Sequence, residues 1–201
     1  MKKQLKVFII IIIIVLGVSA LSFKLYKDNK EPVKETVKET ENFKSIDKEN
    51  NPKENKVPFN GILYIGHDDG FKEVPFTLEN GLDTEGILKA LSNETNWNLK
   101  VSDIQLSDKG SIKICWSKSS SLYTGIPEEQ KMEFFVAKQE DLDAMILDSV
   151  KKTILENEKK KNIYYSDEKG NTLKLPNTYV EIPIDKPYSN FNDYMEYEPI
   201  Y

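Results

Sequence analysis

The chain has 201 residues, of which 39% are hydrophobic and 30% charged, so it can build one modest hydrophobic core and is too short for a typical two-domain enzyme. All 28 basic residues are lysines, and this absence of arginine excludes arginine fingers and bidentate guanidinium clamps on phosphate groups. Residues 61–201 carry 16 lysines against 25 acidic residues, and an acidic region of this kind repels nucleic acid.

The N-terminal segment has the pattern of an export or membrane-insertion signal. Three lysines within the first six residues precede an apolar run from Val7 to Phe23, which is about the shortest length that spans the hydrocarbon core of a bilayer. Lysines on this side of the run hold the N-terminus in the cytoplasm. We therefore expect residues 1–26 to be a signal anchor that leaves the rest of a single-pass protein outside the cell membrane. Cleavage after Ala20, which ends a small-residue pattern, would instead give a secreted protein.

The next segment, residues 27–60, has the composition of a charged linker. Lysine and glutamate alternate, prolines recur, and the sequence of residues 33–36 is repeated at residues 37–40. Low hydrophobicity with interleaved prolines favours a disordered spacer. A flexible coil of this length would span about 30 Å.

Residues 61–175 show the apolar patterns of a folded domain. The predicted elements, in chain order, are strands over 62–65 and 74–78, a helix capped by Asp83, extended chain over 99–106, a strand over 112–116, a helix starting at Pro127, a long helix over 140–154, and strands over 163–165 and 173–175. This order predicts an α+β fold in which two main helices pack on one face of a small mixed β-sheet. The core is expected to bring Ile114 and Trp116 of the central strand against Ile146 and Val150 of the long helix.

Several strings within residues 61–175 resemble the GerMN domain of sporulation and spore-germination proteins in spore-forming bacteria. They are Gly61-Ile62-Leu63-Tyr64-Ile65 with its Asp-Asp-Gly turn, residues 87–91, residues 107–114, and residues 147–155 followed by Ile163-Tyr164-Tyr165 and the Gly170 turn. The resemblance implies an α+β domain that acts without catalysis in the cell envelope. The chain departs from the family in lacking a lipobox cysteine and a second domain, and in having a longer loop over residues 117–138.

Three local patterns contain residues that could bind a metal or take part in catalysis, and each also has a structural interpretation. His67-Asp68-Asp69 could bind a metal or transfer protons, but a lone histidine in a glycine-bounded turn is typical of a solvated turn. Residues 167–171 offer oxygen ligands without the spacing of a calcium loop. Cys115 lies in a predicted strand, where a small inert hydrophobic residue is expected rather than a nucleophile. We expect no catalytic residue, no metal and no cofactor.

The C-terminal segment, residues 176–201, is rich in aromatic and acidic residues. Its candidate partner contacts are Tyr188, Phe191, Tyr194 and Tyr197, since tyrosine offers an apolar face and a polar tip. Alternatively, these rings pack back onto the domain, with Val180 and Ile182 adding a strand.

The sequence is compatible with two functions. One is a membrane-tethered, extracytoplasmic, noncatalytic binding or assembly module of the cell envelope, linked to sporulation or germination. Its partners would be the membrane, through the N-terminal helix, and envelope proteins or peptidoglycan, but not nucleic acid. The alternative is a secreted or anchored hydrolase of envelope polymers that uses paired carboxylates. The candidate carboxylates are Asp68, Asp69, Asp103, Asp108 and Asp167.

Overall fold

The computed structural model describes residues 41–46, 57–67 and 70–195, and the architecture of this part is α+β, as the sequence predicts. The strands are β1 (Phe43–Ser45), β2 (Phe59–His67), β3 (Gly70–Leu78), β4 (Val101–Ser107), β5 (Ile112–Trp116), β6 (Ile163–Ser166), β7 (Leu173–Lys174) and β8 (Glu181–Ile182). The α-helices are α1 (Thr84–Thr95), α2 (Ser121–Thr124) and α3 (Gln139–Glu158), and two 3-10 helices cover Met132–Phe134 and Phe191–Tyr194.

The predicted anchor, residues 1–26, and most of the predicted linker lie outside the described residues. Within the described ranges, no helix combines the length and the apolar character that crossing a membrane requires.

The main sheet has four strands in the order β1-β4-β5-β6. β4 pairs antiparallel with β1 and β5, whereas β5 and β6 are parallel, so the sheet is mixed. Parallel pairing requires a long crossover, and here the chain between β5 and β6 supplies α2, a 3-10 helix and α3. β2–β3 and β7–β8 form two separate hairpins, whereas the sequence indicated a single small sheet.

The predicted core is confirmed. Ile114 and Trp116 from β5 and Ile146 and Val150 from α3 are all fully buried and belong to one hydrophobic cluster. Helical spacing of apolar residues puts the buried stripe of α3 against the strands. This packing fixes the position of α3, which carries one wall of the site described below.

One edge of β2 is covered by α3 rather than by another strand. β2 pairs with β3 on one side, and on the other side polar residues at successive turns of α3 bond to its backbone. The amides of Ile62, Tyr64 and Gly66 donate to Asn157 Oδ1 (3.2 Å), Thr153 Oγ1 (2.9 Å) and Ser149 Oγ (2.8 Å), respectively. The Asn157 side chain also donates to the carbonyl oxygen of Ile62 (2.8 Å). The helix thereby satisfies strand groups that would otherwise be an open edge.

Replacing Thr153 by Val should destabilise the domain by about 1–2 kcal/mol. The substitution keeps the side-chain shape but leaves the Tyr64 amide without its hydrogen-bond acceptor in a partly buried place. Urea unfolding would measure the change. The matched control is Thr77→Val on β3, whose hydroxyl bonds Asn60 at an exposed site, and it should alter stability by less than about 0.5 kcal/mol. Equal effects of the two substitutions would contradict this role for α3.

The structure places a strand inside the segment that was predicted to be a disordered linker. β1 pairs with β4, and the Phe43 ring packs edge-on against Tyr164 with centroids 5.0 Å apart, while Lys113 Nζ lies 4.1 Å from the centroid of Phe43. Ser45 Oγ donates to Asp103 Oδ2 (2.6 Å). A single aromatic residue among charged neighbours has no periodicity, so the pattern of the sequence did not reveal this strand.

The predicted helix start at Pro127 is wrong. α2 ends before Gly125, whose φ of +92° suits glycine, and α3 begins only at Gln139. The intervening chain has only the short 3-10 helix at Met132–Phe134. Proline followed by acids is typical of a helix N-terminus, but no apolar stripe at helical spacing follows it here.

Candidate functional site

A cavity of about 620 Å³ lies beside the N-terminal half of α3, and we call it the α3 cleft. Its lining comes from the ends of β2 and β3, the loop before α3, the first turns of α3 and the C-terminal 3-10 helix. The lining residues are Gly66, His67, Gly70, Phe71, Phe135, Val136, Ala137, Asp141, Ala144, Met145, Asp148 and Asn192. Its volume is in the usual range of ligand-binding pockets.

Gly66 allows β2 to approach α3 closely at the base of the cleft. A Cβ atom at this position would lie only 3.2 Å from the Cα of Met145, so a larger residue would push the strand and the helix apart. The Gly66 amide bonds Ser149 Oγ at 2.8 Å, which fixes the contact. The end of β2 is therefore held directly against the helix.

The loop over residues 131–137 contributes Phe135, Val136 and Ala137 to the cleft lining and is anchored by a buried ring. Phe134 is 1% exposed and meets Trp97 edge-on with centroids 6.5 Å apart. The side chain of Gln130 closes the loop, because its Oε1 accepts from the Val136 amide (2.9 Å) and its Nε2 donates to the Val136 carbonyl oxygen (3.0 Å). These contacts fix the loop, whose only regular element is the 3-10 helix Met132–Phe134.

Two ion pairs tie the same loop to its neighbours. Glu133 pairs with Lys72 on β3, and Lys131 Nζ lies 3.8 Å from Glu94 Oε1 on α1. Each pair is partly exposed and so contributes only about 0–1 kcal/mol. Their effect is to orient the loop between β3 and α1.

The anchored loop presents large apolar side chains to solvent. Met132 is 86% exposed and Phe135 is 59% exposed, and Phe71 across the cleft is 41% exposed. Exposed apolar groups that gather in one place mark interaction sites, whereas single scattered ones are ordinary. Phe71 and Phe135 both line the cleft, and Met132 lies on the same loop three residues before Phe135. We call these three residues the apolar rim.

Two carboxylates of α3 line the cleft. Asp141 is exposed in the first turn, and Asp148 lies two turns further along the helix. Asp148 accepts a hydrogen bond from the Tyr188 hydroxyl at 2.7 Å. Burial raises the pKa of Asp148, and the hydrogen bonds from Tyr188 and from the Phe191 amide oppose this shift. The described lining residues include these two carboxylates and no lysine, while Lys152 Nζ lies 5.1 Å from the ring centroid of Phe71 at the edge of the cleft.

Two of the four candidate aromatic contacts of the tail pack into the domain. Tyr188 and Phe191 are each only 2% exposed and belong to the core, so their rings do not face a partner. Tyr194 is half-buried and stacks on Tyr188 with centroids 5.6 Å apart. Tyr197 lies outside the described residues. The alternative of packing back onto the domain is confirmed for Tyr188 and Phe191, and Ile182 adds a strand in β8.

The turn with the candidate histidine is only partly described. His67 is exposed at the end of β2 and lines the α3 cleft, whereas Asp68 and Asp69 lie outside the described residues. Within the described ranges, no three histidine, cysteine or carboxylate side chains gather as metal ligands would.

Cys115 has the environment of a structural residue. It is 2% exposed in β5, and burial raises the pKa of its thiol, which disfavours the nucleophilic thiolate. Nearby carboxylates of Asp103 and Asp167 raise the pKa further, while a hydrogen bond with Ser166 lowers it.

The other candidate carboxylates of a hydrolase are distributed over the main sheet. Asp103 lies in β4 and Asp167 follows β6, so β5 separates them, while Asp108 lies in the exposed turn after β4. Asp103 Oδ2 accepts from Ser45 Oγ (2.6 Å) and Gln105 Nε2 (2.9 Å). Of these three, only Asp167 lines one of the described pockets, and it lies away from the α3 cleft.

Sequence reasoning missed the apolar rim. The signal was present in Met132-Glu133-Phe134-Phe135, an apolar group within an otherwise polar loop. Adjacent side chains in such a loop cannot all point into the core, so Phe134 enters it and its neighbours remain outside.

The chain matches no protein-family model, no curated protein and no solved structure at a significant level. The geometry of the site therefore carries the functional argument.

Proposed function

We propose that this protein is a membrane-tethered, extracytoplasmic, noncatalytic binding and assembly module of the cell envelope. Its docking surface is the apolar rim, Phe71, Met132 and Phe135, together with the α3 cleft. The observation that carries the proposal is the exposure of Met132 and Phe135 on a loop that is anchored on several sides, with Phe71 of β3 exposed across the cleft. The resemblance of residues 61–175 to the GerMN domain supports a role in sporulation or germination.

The rigidity of the loop favours binding. A partner does not have to order this loop, so less conformational entropy is lost when the complex forms. Exposed methionine and phenylalanine side chains provide the apolar anchor that the centre of an interface needs. The surface is thus suited to a protein partner.

The charge of the cleft indicates the chemistry of that partner. Asp141 and Asp148 contribute carboxylates beside the apolar rim. A segment that combines apolar side chains with lysine or arginine would match both features. We therefore propose an envelope protein that presents such a segment.

The N-terminal sequence supports the proposed location. The lysine-flanked apolar run of residues 7–23 would anchor the chain with the domain outside, or direct its secretion if the run is cleaved. Because β1 begins at Phe43, residues 27–40 remain as the spacer between the anchor and the domain. A flexible coil of this length would span about 20 Å.

The double substitution Met132→Ser and Phe135→Ser should abolish function in the native host while the protein remains folded and exported. Both side chains are exposed, so their loss should change the free energy of unfolding by less than about 0.5 kcal/mol. Complementation of a deletion strain measures function, and the thermal midpoint measures folding.

The matched control is Tyr179→Ser, which removes an 89% exposed aromatic ring from the turn before β8, away from the cleft lining. This variant should complement fully. A photo-crosslinking residue at position 135 should capture an envelope protein, and Asp141→Lys should weaken that crosslink. Full complementation by the double variant would contradict the proposed docking surface.

A further inference from the structure

A second pocket lies beside the chain that follows β5 and β6 of the main sheet, and it shares no lining residue with the α3 cleft. Its volume is about 510 Å³. The lining comes from the chain after β5, from α2, from the turn between β6 and β7, and from the segments beside β7 and β8. The lining residues are Lys118, Tyr123, Asp167, Asn171, Thr172, Lys174 and Ile184.

Two apolar side chains form part of the lining. Tyr123 is half-buried on α2 and packs against the core, and Ile184 is 36% exposed after β8. Burial raises the pKa of Tyr123 to about 12, with a further contribution from the carboxylates of Asp167 and Glu168. The tyrosine hydroxyl therefore stays neutral and can donate a hydrogen bond at any physiological pH.

The carboxylate of Asp167 is held in a fixed orientation. Its Oδ1 accepts from the backbone amides of Asn171 (2.7 Å) and Lys169 (2.9 Å), and its Oδ2 lies 3.3 Å from Asn171 Nδ2. Gly170, with φ of +82°, allows the turn that brings these amides together. Desolvation acts to raise the pKa of Asp167, but the hydrogen bonds from Asn171 and Lys169 outweigh it, and the pKa is lowered. Asp167 is thus an ionised, preorganised acceptor, and Oδ2 retains lone pairs for a ligand.

The two lysines of the pocket each lie beside a carboxylate. Lys118 Nζ lies 3.8 Å from Glu168 Oε1, and Lys174 Nζ lies 2.5 Å from Glu181 Oε1. Each lysine therefore has its own carboxylate partner. A phosphate or a carboxylate entering the pocket would also meet the negative charge of Asp167.

We propose that this pocket, lined by Tyr123, Asp167, Asn171, Thr172 and Ile184, binds an uncharged saccharide. A sugar ring presents C–H groups on its faces and hydroxyl groups on its edges. The tyrosine ring and Ile184 match the faces, because both offer apolar surface. The carboxylate, amide and hydroxyl groups match the edges, because together they accept and donate hydrogen bonds. The proposal does not depend on the docking surface, so the two can fail separately.

The test is a titration of the full-length chain with the β-1,4-linked tetramer of N-acetylglucosamine, followed by the amide chemical shifts of residues 167–172. The chain is kept in a detergent without a sugar headgroup, because an alkyl glycoside would compete for the site. Saturable shifts in these amides are expected. Absence of saturable shifts at millimolar tetramer would overturn the proposal, as would equal shifts produced by inorganic phosphate alone.

Two variants test whether the saccharide binds in this pocket. Asp167→Asn preserves acceptors for the backbone amides of the turn but removes the charge, and it should weaken binding at least tenfold. Tyr123→Leu keeps an apolar residue but removes the aromatic ring, and it should weaken binding by a similar factor. The control is Lys89→Gln on α1, which should bind like the unmodified chain. Thermal midpoints identify any variant that fails to fold, and unchanged affinity in a folded Asp167→Asn would place the saccharide elsewhere and overturn the proposal.

Discussion

Replacing Ile146 by Asp should unfold the domain. Ile146 is fully buried in the stripe of α3 that packs on the sheet, so the new carboxylate would lie in the core without a partner. Burying an unpaired charge costs several kcal/mol, and a domain of this size has only about 5–15 kcal/mol of stability. Loss of the cooperative transition in thermal or urea unfolding, followed by circular dichroism, would show the effect.

Two further variants separate charge from packing at this position. Ile146→Val removes one methylene group and should cost about 1 kcal/mol through the small cavity that it leaves. Glu156→Asp, at an exposed position on the same helix, should leave the transition unchanged within about 0.5 kcal/mol. A normal transition in Ile146→Asp would show that this face of α3 does not face the core.

The sequence allowed prediction of those elements in which apolar periodicity is strong. The sequence of β5 has apolar residues at every second position, and α3 carries its apolar residues at helical spacing, so both were located correctly. Their packing against each other followed from these apolar faces, but the sequence did not show that Cys115, on the other face of β5, is buried as well. The order of the predicted elements also predicted the fold class, since strands and helices are intermixed along the chain.

Pairing between distant segments could not be predicted in this way. Thr153 and Asn157 look like ordinary polar residues of a helix, and only the fold shows that they serve as hydrogen-bond partners of β2. In the same way, β1 forms because the edge of β4 is available to it, a condition that depends on how the sheet is assembled. Interactions of this kind depend on contacts that are 58 to 95 residues apart in sequence.

Of the candidate site, too, one part could be predicted from the sequence and another part could not. His67 was recognised as a potential functional residue because of its type, and the structure places it at the cleft. The apolar rim was missed, because an exposed phenylalanine and a buried one are indistinguishable in an irregular loop without its anchoring contacts. The sequence left two interpretations of the tail open. The hydrogen bond from Tyr188 to Asp148 explains why the first half of the tail packs on α3.

Replacing Asp143 by Asn should stabilise the protein at pH 7.5 and remove part of its dependence on pH. Asp143 is fully buried on α3, and burial raises the pKa of its carboxyl from 3.8 to about 6, although hydrogen bonds from Gln139 (2.6 Å) and Thr178 (3.0 Å) oppose the shift. The folded state binds the carboxyl proton of Asp143 more tightly than the unfolded state does. The stability that this protonation provides is therefore fully present below about pH 4. That stability is lost as the pH rises to about 6.

A shift of about two pKa units corresponds to at most about 3 kcal/mol at pH 7.5. Asparagine stays neutral and can still bond Gln139 and Thr178, so the variant should gain up to this amount relative to the unmodified chain at pH 7.5 and little at pH 4. Urea unfolding at the two pH values gives the comparison. Asp143→Ala also removes the charge but leaves both partners unbonded, so it should be less stable than Asp143→Asn at each pH. If Asp143→Asn is less stable than the unmodified chain at pH 7.5, the ionised carboxylate contributes more through its hydrogen bonds than its burial costs.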